Sequence, residues 1–201
     1  MQNELTRRGA MMLGLGAVAL TAMPRGAQAL TTDQASALIG RVLDEINVVI
    51  NSGKSEGAMF ADFERIFSKY ADVPIIARSA LGVAARSASA GQLNAFTAAF
   101  RGYMARKYGR RFREIIGGRI EVTGAKPVKS FFEVSSIAYL RGREPFDVRW
   151  HVSDKSGKDL FFNLIIEGVN MLATERTEIG AMLDKRRGDI DALIGDLKRA
   201  G

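Results

Sequence analysis

The chain has no cysteine, one histidine, one tryptophan and four prolines in 201 residues. Without cysteine there is no disulfide framework, no thiolate nucleophile and no lipid-modified cysteine to tether the chain to a membrane. A single histidine removes ordinary zinc sites and leaves His151 as the sole imidazole for acid–base work. An unbroken apolar run of the ~20 residues that cross a bilayer is also missing. The longest run, from Ala10 to Ala22, is interrupted by Gly14 and Gly16. Acidic residues are outnumbered, 22 against 29 basic ones, for a formal net charge of +7. A basic surface suits nucleic acid, anionic lipid surfaces or acidic partner proteins.

What is present at the N-terminus narrows those partners. Arg7 and Arg8 precede the apolar run, and Ala27-Gln28-Ala29 supplies a small-residue cleavage pattern. A charged start, a short apolar stretch and an A-x-A end make a secretory signal peptide over residues 1–29, with the mature chain starting at Leu30. The paired arginines in Thr6-Arg7-Arg8-Gly9 permit a twin-arginine route as well as the general one. Export from the cytoplasm ranks nucleic acid last among those partners. Residues 30–201 are long enough for a single domain with its own core.

Within that domain the hydrophobic period is helical up to about residue 117. Leu38, Val42, Leu43 and Ile46 mark a first helix from Asp33 to about Asn51. A second, from Ala58 to about Tyr70, carries Phe60, Phe63 and Phe67. Asp72-Val73-Pro74 breaks the pattern before a short helix ending at Leu81-Gly82. A long helix from Ser89 has Leu93, Phe96, Phe100, Met104 and Tyr108 as its stripe. Beyond Gly117-Gly118 the period falls to two, giving a sheet over about 118–168. The predicted strands are Ile120 to Thr123, Val128 to Leu140, Phe146 to Ser153 and Leu160 to Glu167. The fourth is apolar on both faces, as in a strand covered on both sides. Helices from Met171 to Lys185 and Asp189 to Lys198 close the chain. The expected class is α+β, a four-stranded antiparallel meander with a helical part over about 30–117 and 171–201.

Catalytic residues do not emerge. His151 falls on the polar face of its strand near Asp154, a place for a surface or satisfied histidine. Glu133 and Glu167 have no spacing that demands an acid–base pair. No metal or cofactor site is expected. Apolar residues are more informative. Phe132, Val134, Val148, Trp150, Phe162, Leu164 and Ile166 line one sheet face, with Phe96, Phe100, Met104, Phe112 and Ile116 packed over it from the long helix. A solid core and a ligand-filled cavity share this periodicity, so both stay open. The basic run Arg101, Arg106, Lys107, Arg110, Arg111 and Arg113 is either a solvated helix face or a contact for phosphate headgroups or an acidic docking surface.

The order of several short stretches resembles the MlaC family of periplasmic lipid-transfer proteins, also called toluene-tolerance auxiliary proteins of ABC transport. The stretches are Asp72-Val73, Ile76-Ala77, Leu81-Gly82, then Gln92, Phe96, Phe100, Tyr103 and Tyr108. Further on come Val148-Arg149-Trp150, Leu164-Ile165-Ile166-Glu167-Gly168-Val169, Arg176, and Asp191-Ala192-Leu193-Ile194 before Leu197. The chain departs from the family's usual aspartate at Asn163, serine at Asn170, tyrosine at Glu175 and aromatic near Ile179. The resemblance implies a sheet of the NTF2-like type joined to a helical subdomain, with lipid tails in an apolar cavity between them. It implies a non-enzymatic phospholipid carrier between an outer-membrane lipoprotein complex and an inner-membrane ABC transporter, serving outer-membrane lipid asymmetry. The sheet-facing apolar residues become candidates for tail contact, and Arg101, Arg106 and Arg110 for headgroup or partner contact. A hopanoid or other apolar lipid as cargo, an enzyme using the same cavity, and a docking module with a solid core remain the alternatives.

Overall fold

The computed structural model describes residues 29–110 and 116–200. Residues 1–28 of the expected leader, and Arg111, Phe112 and Arg113, lie outside the described residues. Among the described residues, six α-helices and five strands follow in the order α1 (Thr32–Ile50), α2 (Glu56–Tyr70), α3 (Val73–Leu81), α4 (Ala90–Gly109), β1 (Arg119–Val128), β2 (Phe131–Tyr139), β3 (Phe146–Ser153), β4 (Leu160–Ile166), β5 (Val169–Asn170), α5 (Met171–Lys185) and α6 (Ile190–Leu197).

Local chemistry sets the boundaries. Thr31 with Gln34 and Ser89 with Gln92 each form a reciprocal capping box that satisfies backbone donors at the starts of α1 and α4. Asp72 caps α3, whose Pro74 sits in the first turn, where a missing N–H costs no helical bond. Asn170 and Asp189 cap α5 and α6 through their side-chain oxygens.

The sheet is antiparallel, in the order β1-β2-β3-β4-β5. It has five strands rather than the expected four, because Val169 and Asn170 fold back on Ile166 and Ile165. Glu167 and Gly168 form the two-residue turn, at φ 49° and 80°, the left-handed conformation that tight hairpins select. The first hairpin also differs from the sequence reading. β1 runs through Gly124 and Pro127 to Val128, past a register shift between Val122 and Gly124, and the turn falls at Lys129-Ser130. Pro127 ends no strand here because β1 is an edge, where a missing donor breaks no ladder.

Helix α1 lies on the inner sheet face, against β1 and to a lesser degree β2 and β3. Its buried stripe runs from Ala35 through Leu38, Val42 and Ile46 to Ile50. Helix α4 does not cover the sheet as the sequence suggested. It packs against α2, α3 and α6, because α1 already carries the continuous apolar face that the sheet requires. Phe96 and Phe100, both 0% exposed, therefore stack on one another inside the helical layer, at 5.8 Å.

Polar contacts join α1 to α2. Glu45 accepts hydrogen bonds from Lys69, Arg65 and Tyr70 at 2.5, 3.1 and 2.8 Å. The Lys69 ammonium above all, then Tyr70 and Arg65, hold the Glu45 carboxyl down to about 2, against a smaller opposing effect of burial. A carboxyl depressed in the folded state stabilises fully above its ordinary value near 4.5 and loses that contribution as pH falls toward 2. Melting temperatures of Glu45→Gln and the parent are expected to converge over that interval and to differ most above it.

A candidate apolar ligand cavity between sheet and helices

Sheet and helices do not close fully on one another. Between them lies a cavity of about 300 Å³, at the small end of the ~300–1,000 Å³ usual for small-molecule sites. Val42 and Ile46 of α1, Phe63, Ile66 and Phe67 of α2, and Ile76 of α3 form its helical wall. Met104, Ala105 and Tyr108 from the C-terminal end of α4 continue it. Val148 and Trp150 of β3 and Phe161, Phe162, Leu164 and Ile166 of β4 form the sheet wall. Met171, Leu172 and Glu175 of α5 complete the lining, with Arg143 and Glu167 at an exposed rim.

Trp150 is fixed by hydrogen bonds behind it. Its indole N–H donates to Ser136 Oγ at 3.0 Å, and that hydroxyl donates to the Val148 carbonyl at 2.9 Å. Both side chains are buried, so Ser136→Ala leaves the indole N–H without its partner. The variant is expected to lose about 1–3 kcal/mol of stability, read from urea unfolding. Phe161 packs edge-on against Trp150, with centroids 5.4 Å apart. A register shift after His151 sets Phe161 opposite Val152 on the inner face. The Phe162 ring instead touches Phe131 and His151, at 5.5 and 5.7 Å.

Of the apolar residues expected at a pocket, Met104, Val148, Trp150, Phe162, Leu164 and Ile166 come together around this cavity. Phe96 and Phe100 are buried among helices, Val134 is fully buried in the sheet and Phe132 packs on the core without lining the cavity. Phe112 lies outside the described residues. Leu164 and Ile166 are only half-buried, which differs from a strand tightly covered on both faces: their side chains border open space instead of close-packed atoms. Phe161, Phe63 and Phe67 line the cavity although periodicity marked them only as parts of a strand or helix face. Residues pointing into a void and residues filling a core leave the same pattern.

The basic residues divide. Arg101 pairs with Glu64 at 2.9 Å. Arg106 donates to the carbonyls of Ala200 and Leu197, at 2.9 and 2.6 Å, and so closes the end of α6. Arg110 is exposed at the end of α4. Arg143 reaches the cavity rim, where it lies over the Phe146 ring and pairs with Glu167 at 3.1 Å.

At the α4–α5 end, Lys107 bridges Glu175 and Glu178, 2.7 Å from Glu175 Oε1. Tyr108 donates to the same Oε1, and Tyr103 donates to Glu178 at 2.8 Å. Burial, followed by the nearby carboxylates, pushes both phenols well above their ordinary range. Burial pulls Lys107 down, but its bonds to Glu175 and Glu178 outweigh that and raise it overall. Tyrosines and lysine thus keep their protons across the physiological range.

His151 sits outside the cavity lining, 3.5 Å from Glu133. Burial lowers its proton affinity, against the pull of Glu133. Asp154 accepts the Leu30 N–H at 3.1 Å. Glu133 pairs with Lys126 and Arg149 while Glu167 pairs with Arg143, so the two carboxylates do not face one another across a shared site. Among the described residues no cluster of His, Asp and Glu is arranged to hold a metal, and no helix is long and apolar enough to cross a membrane.

A family model described as MlaC protein matches residues 40–199. Among solved structures the fold is similar to that of the phospholipid-binding protein from Ralstonia solanacearum, determined in complex with a phospholipid. The TM-score is 0.71 at 17% identity, covering 82% of this chain and 95% of that one. At that identity the likeness establishes a shared fold.

Proposed function

The chain belongs to the MlaC family, and from that membership and the apolar cavity we propose that it is a phospholipid carrier. The observation that carries the proposal is the cavity of about 300 Å³, bordered on the sheet side by Trp150, Leu164 and Ile166 and on the helix side by Val42, Phe63 and Met104. A phospholipid has about 30 methylenes, and at ~0.8 kcal/mol each their exposure to water costs on the order of 24 kcal/mol. That cost prevents useful diffusion of free lipid between membranes. An apolar cavity replaces water around tail segments, and release needs no covalent step.

In this proposal residues 1–29 are removed on export, and the remaining chain works in the periplasm. It receives and delivers phospholipid at an outer-membrane lipoprotein complex and an inner-membrane ABC transporter. Cleavage after Ala29 leaves the Leu30 amino group where its nitrogen is 3.1 Å from Asp154 Oδ2; a protonated amine there makes a charge-assisted hydrogen bond. Met104, Val148, Trp150, Phe162, Leu164 and Ile166 are the proposed tail contacts. Arg143, at the rim and paired only with the equally exposed Glu167, is better placed for a headgroup than Arg101 or Arg106, which are not among the cavity-lining residues.

The test is transfer between two vesicle populations, one holding a fluorescent phospholipid at self-quenching density. Catalytic amounts of protein are expected to accelerate dequenching in proportion to their concentration. Vesicles that exchange no faster with the protein than without it would remove the carrier assignment and favour a docking module.

A further inference from the structure

From Val73 to Arg113 the sequence holds no aspartate or glutamate, yet basic residues recur throughout. Arg101, Arg106 and Lys107 are taken up by Glu64, by the end of α6 and by Glu175 with Glu178. Arg78 of α3 and Arg86, in the short 3-10 turn Gly82–Arg86 that follows it, are different. Both are exposed, and among the described residues neither has a carboxylate partner. The same holds for Arg176 of α5.

The fold gathers these charges on one face. Ile75, Arg78 and Gly82 fall at spacings of three and four residues, so they share the outward side of α3. Arg176 lies over Gly82, its Nε 3.3 Å from the point where a Cβ on that glycine would sit. Exposed aliphatic side chains stand among the arginines, Ile75 at 46% and Val83 at 71%. Nearby elements bring no carboxylate to offset the charge. α3 packs chiefly on α4, α5 and β4, and neither α4 nor β4 contains an acidic residue. Glu175 and Glu178 of α5 are engaged by Lys107, and Asp184 lies more than two turns beyond Arg176. Asp72, at the start of α3, is buried and caps the helix. The inward side of the same two helices lines the cavity through Ile76 and Leu172.

We propose that this outer face of α3 and α5 docks on an anionic bilayer surface, with Arg78, Arg86 and Arg176 meeting lipid phosphates while Ile75 and Val83 enter the boundary between headgroups and chains. A bilayer fits this mixture better than an acidic protein does. Arginine forks match phosphate oxygens, and their stems lie along apolar ground. The same contact buries the aliphatic side chains between them. The inference rests on the carrier function proposed above for its purpose, since it sets a wall of the cavity against the membrane from which lipid is drawn.

Co-sedimentation of the purified protein with sucrose-loaded vesicles tests it. Vesicles of phosphatidylcholine containing about one-third phosphatidylglycerol are expected to bind the protein at least a hundredfold more tightly than pure phosphatidylcholine. Salt near 1 M, which screens charges beyond ~3 Å, is expected to remove most of that difference. Arg78→Gln, Arg86→Gln and Arg176→Gln together are expected to weaken anionic binding about a hundredfold, roughly fivefold for each arginine. If Arg176→Gln disturbs the packing on Gly82, the double variant at Arg78 and Arg86 is expected to lose about twenty-five-fold. A control with the same loss of charge at exposed positions elsewhere, Arg41→Gln, Lys129→Gln and Lys198→Gln, is expected to stay within about threefold of the parent. Ile75→Ser with Val83→Ser is expected to weaken binding about tenfold.

Equal losses in the two triple variants, or equal binding to neutral and anionic vesicles, would overturn the inference. Failure to bind anionic vesicles at low salt would overturn it too, and leave an acidic protein surface as the occupant. Lipid uptake is scored in the same samples by extraction and mass. Uptake without docking would sink the inference and leave carriage standing; docking without uptake would remove the carrier function and leave the membrane contact.

Discussion

Replacing Leu164 by glutamate is expected to reduce bound phospholipid at least a hundredfold while the protein stays folded. Leu164 pairs with Trp150 across β3 and β4 and borders the cavity, half-buried. Without ligand its side chain has room, so a carboxylate there keeps access to water. With tails in place that water is expelled. Even a small part of the cost of burying a charge, about 3 kcal/mol, corresponds to more than a hundredfold in affinity. Circular dichroism and thermal melting check the fold; extraction and mass measurement check the lipid. The same change at Trp150 differs in kind. Trp150 is 4% exposed and bonded to buried Ser136, so a charge there is expected to unfold the protein rather than merely empty it.

Lys107→Met is expected to cost about 3–5 kcal/mol, because it leaves Glu175 as a buried carboxylate without its cation. For a domain of this size that lowers the melting temperature by roughly 10 °C. The double variant Lys107→Met, Glu175→Leu removes both charges and is expected to be more stable than Lys107→Met alone. Differential scanning calorimetry orders the three proteins. A double variant no more stable than the single one would show that the charge left behind in Lys107→Met is not the source of the loss.

The elements themselves were largely legible, since period and capping residues are local properties. Ser89 marked the start of α4, and the alternation of Phe146, Val148, Trp150 and Val152 marked the inner face of β3. Position in the sheet was not legible. The first strand was expected to stop at Thr123 whereas β1 runs on through Pro127 to Val128 at the sheet edge, and β5 is only two residues long. Which helix covers the sheet was equally hidden. α1 and α4 both carry apolar stripes, and only assembly shows α1 on the strands and Phe96 with Phe100 one layer away.

At the site, alternation places Val148, Trp150, Leu164 and Ile166 on the inner face without further information, and all four border the cavity. Phe161 was missed because a register shift after His151 reverses the alternation locally. The basic run on α4 could not be sorted by charge alone. Arg106 spends its donors on the end of α6, a contact more than ninety residues away in sequence. Glu175 stood out only as a departure from a usual tyrosine. Its significance depends on burial beside Lys107 and Tyr108, which no spacing encodes.

Native mass spectrometry of the protein purified without detergent, followed by organic extraction, tests the central claim most directly. The account predicts a folded protein carrying stoichiometric phospholipid, or taking it up from vesicles when isolated empty. A hopanoid-like mass would change the cargo and keep the carrier. A folded protein that neither retains nor acquires lipid would contradict the account.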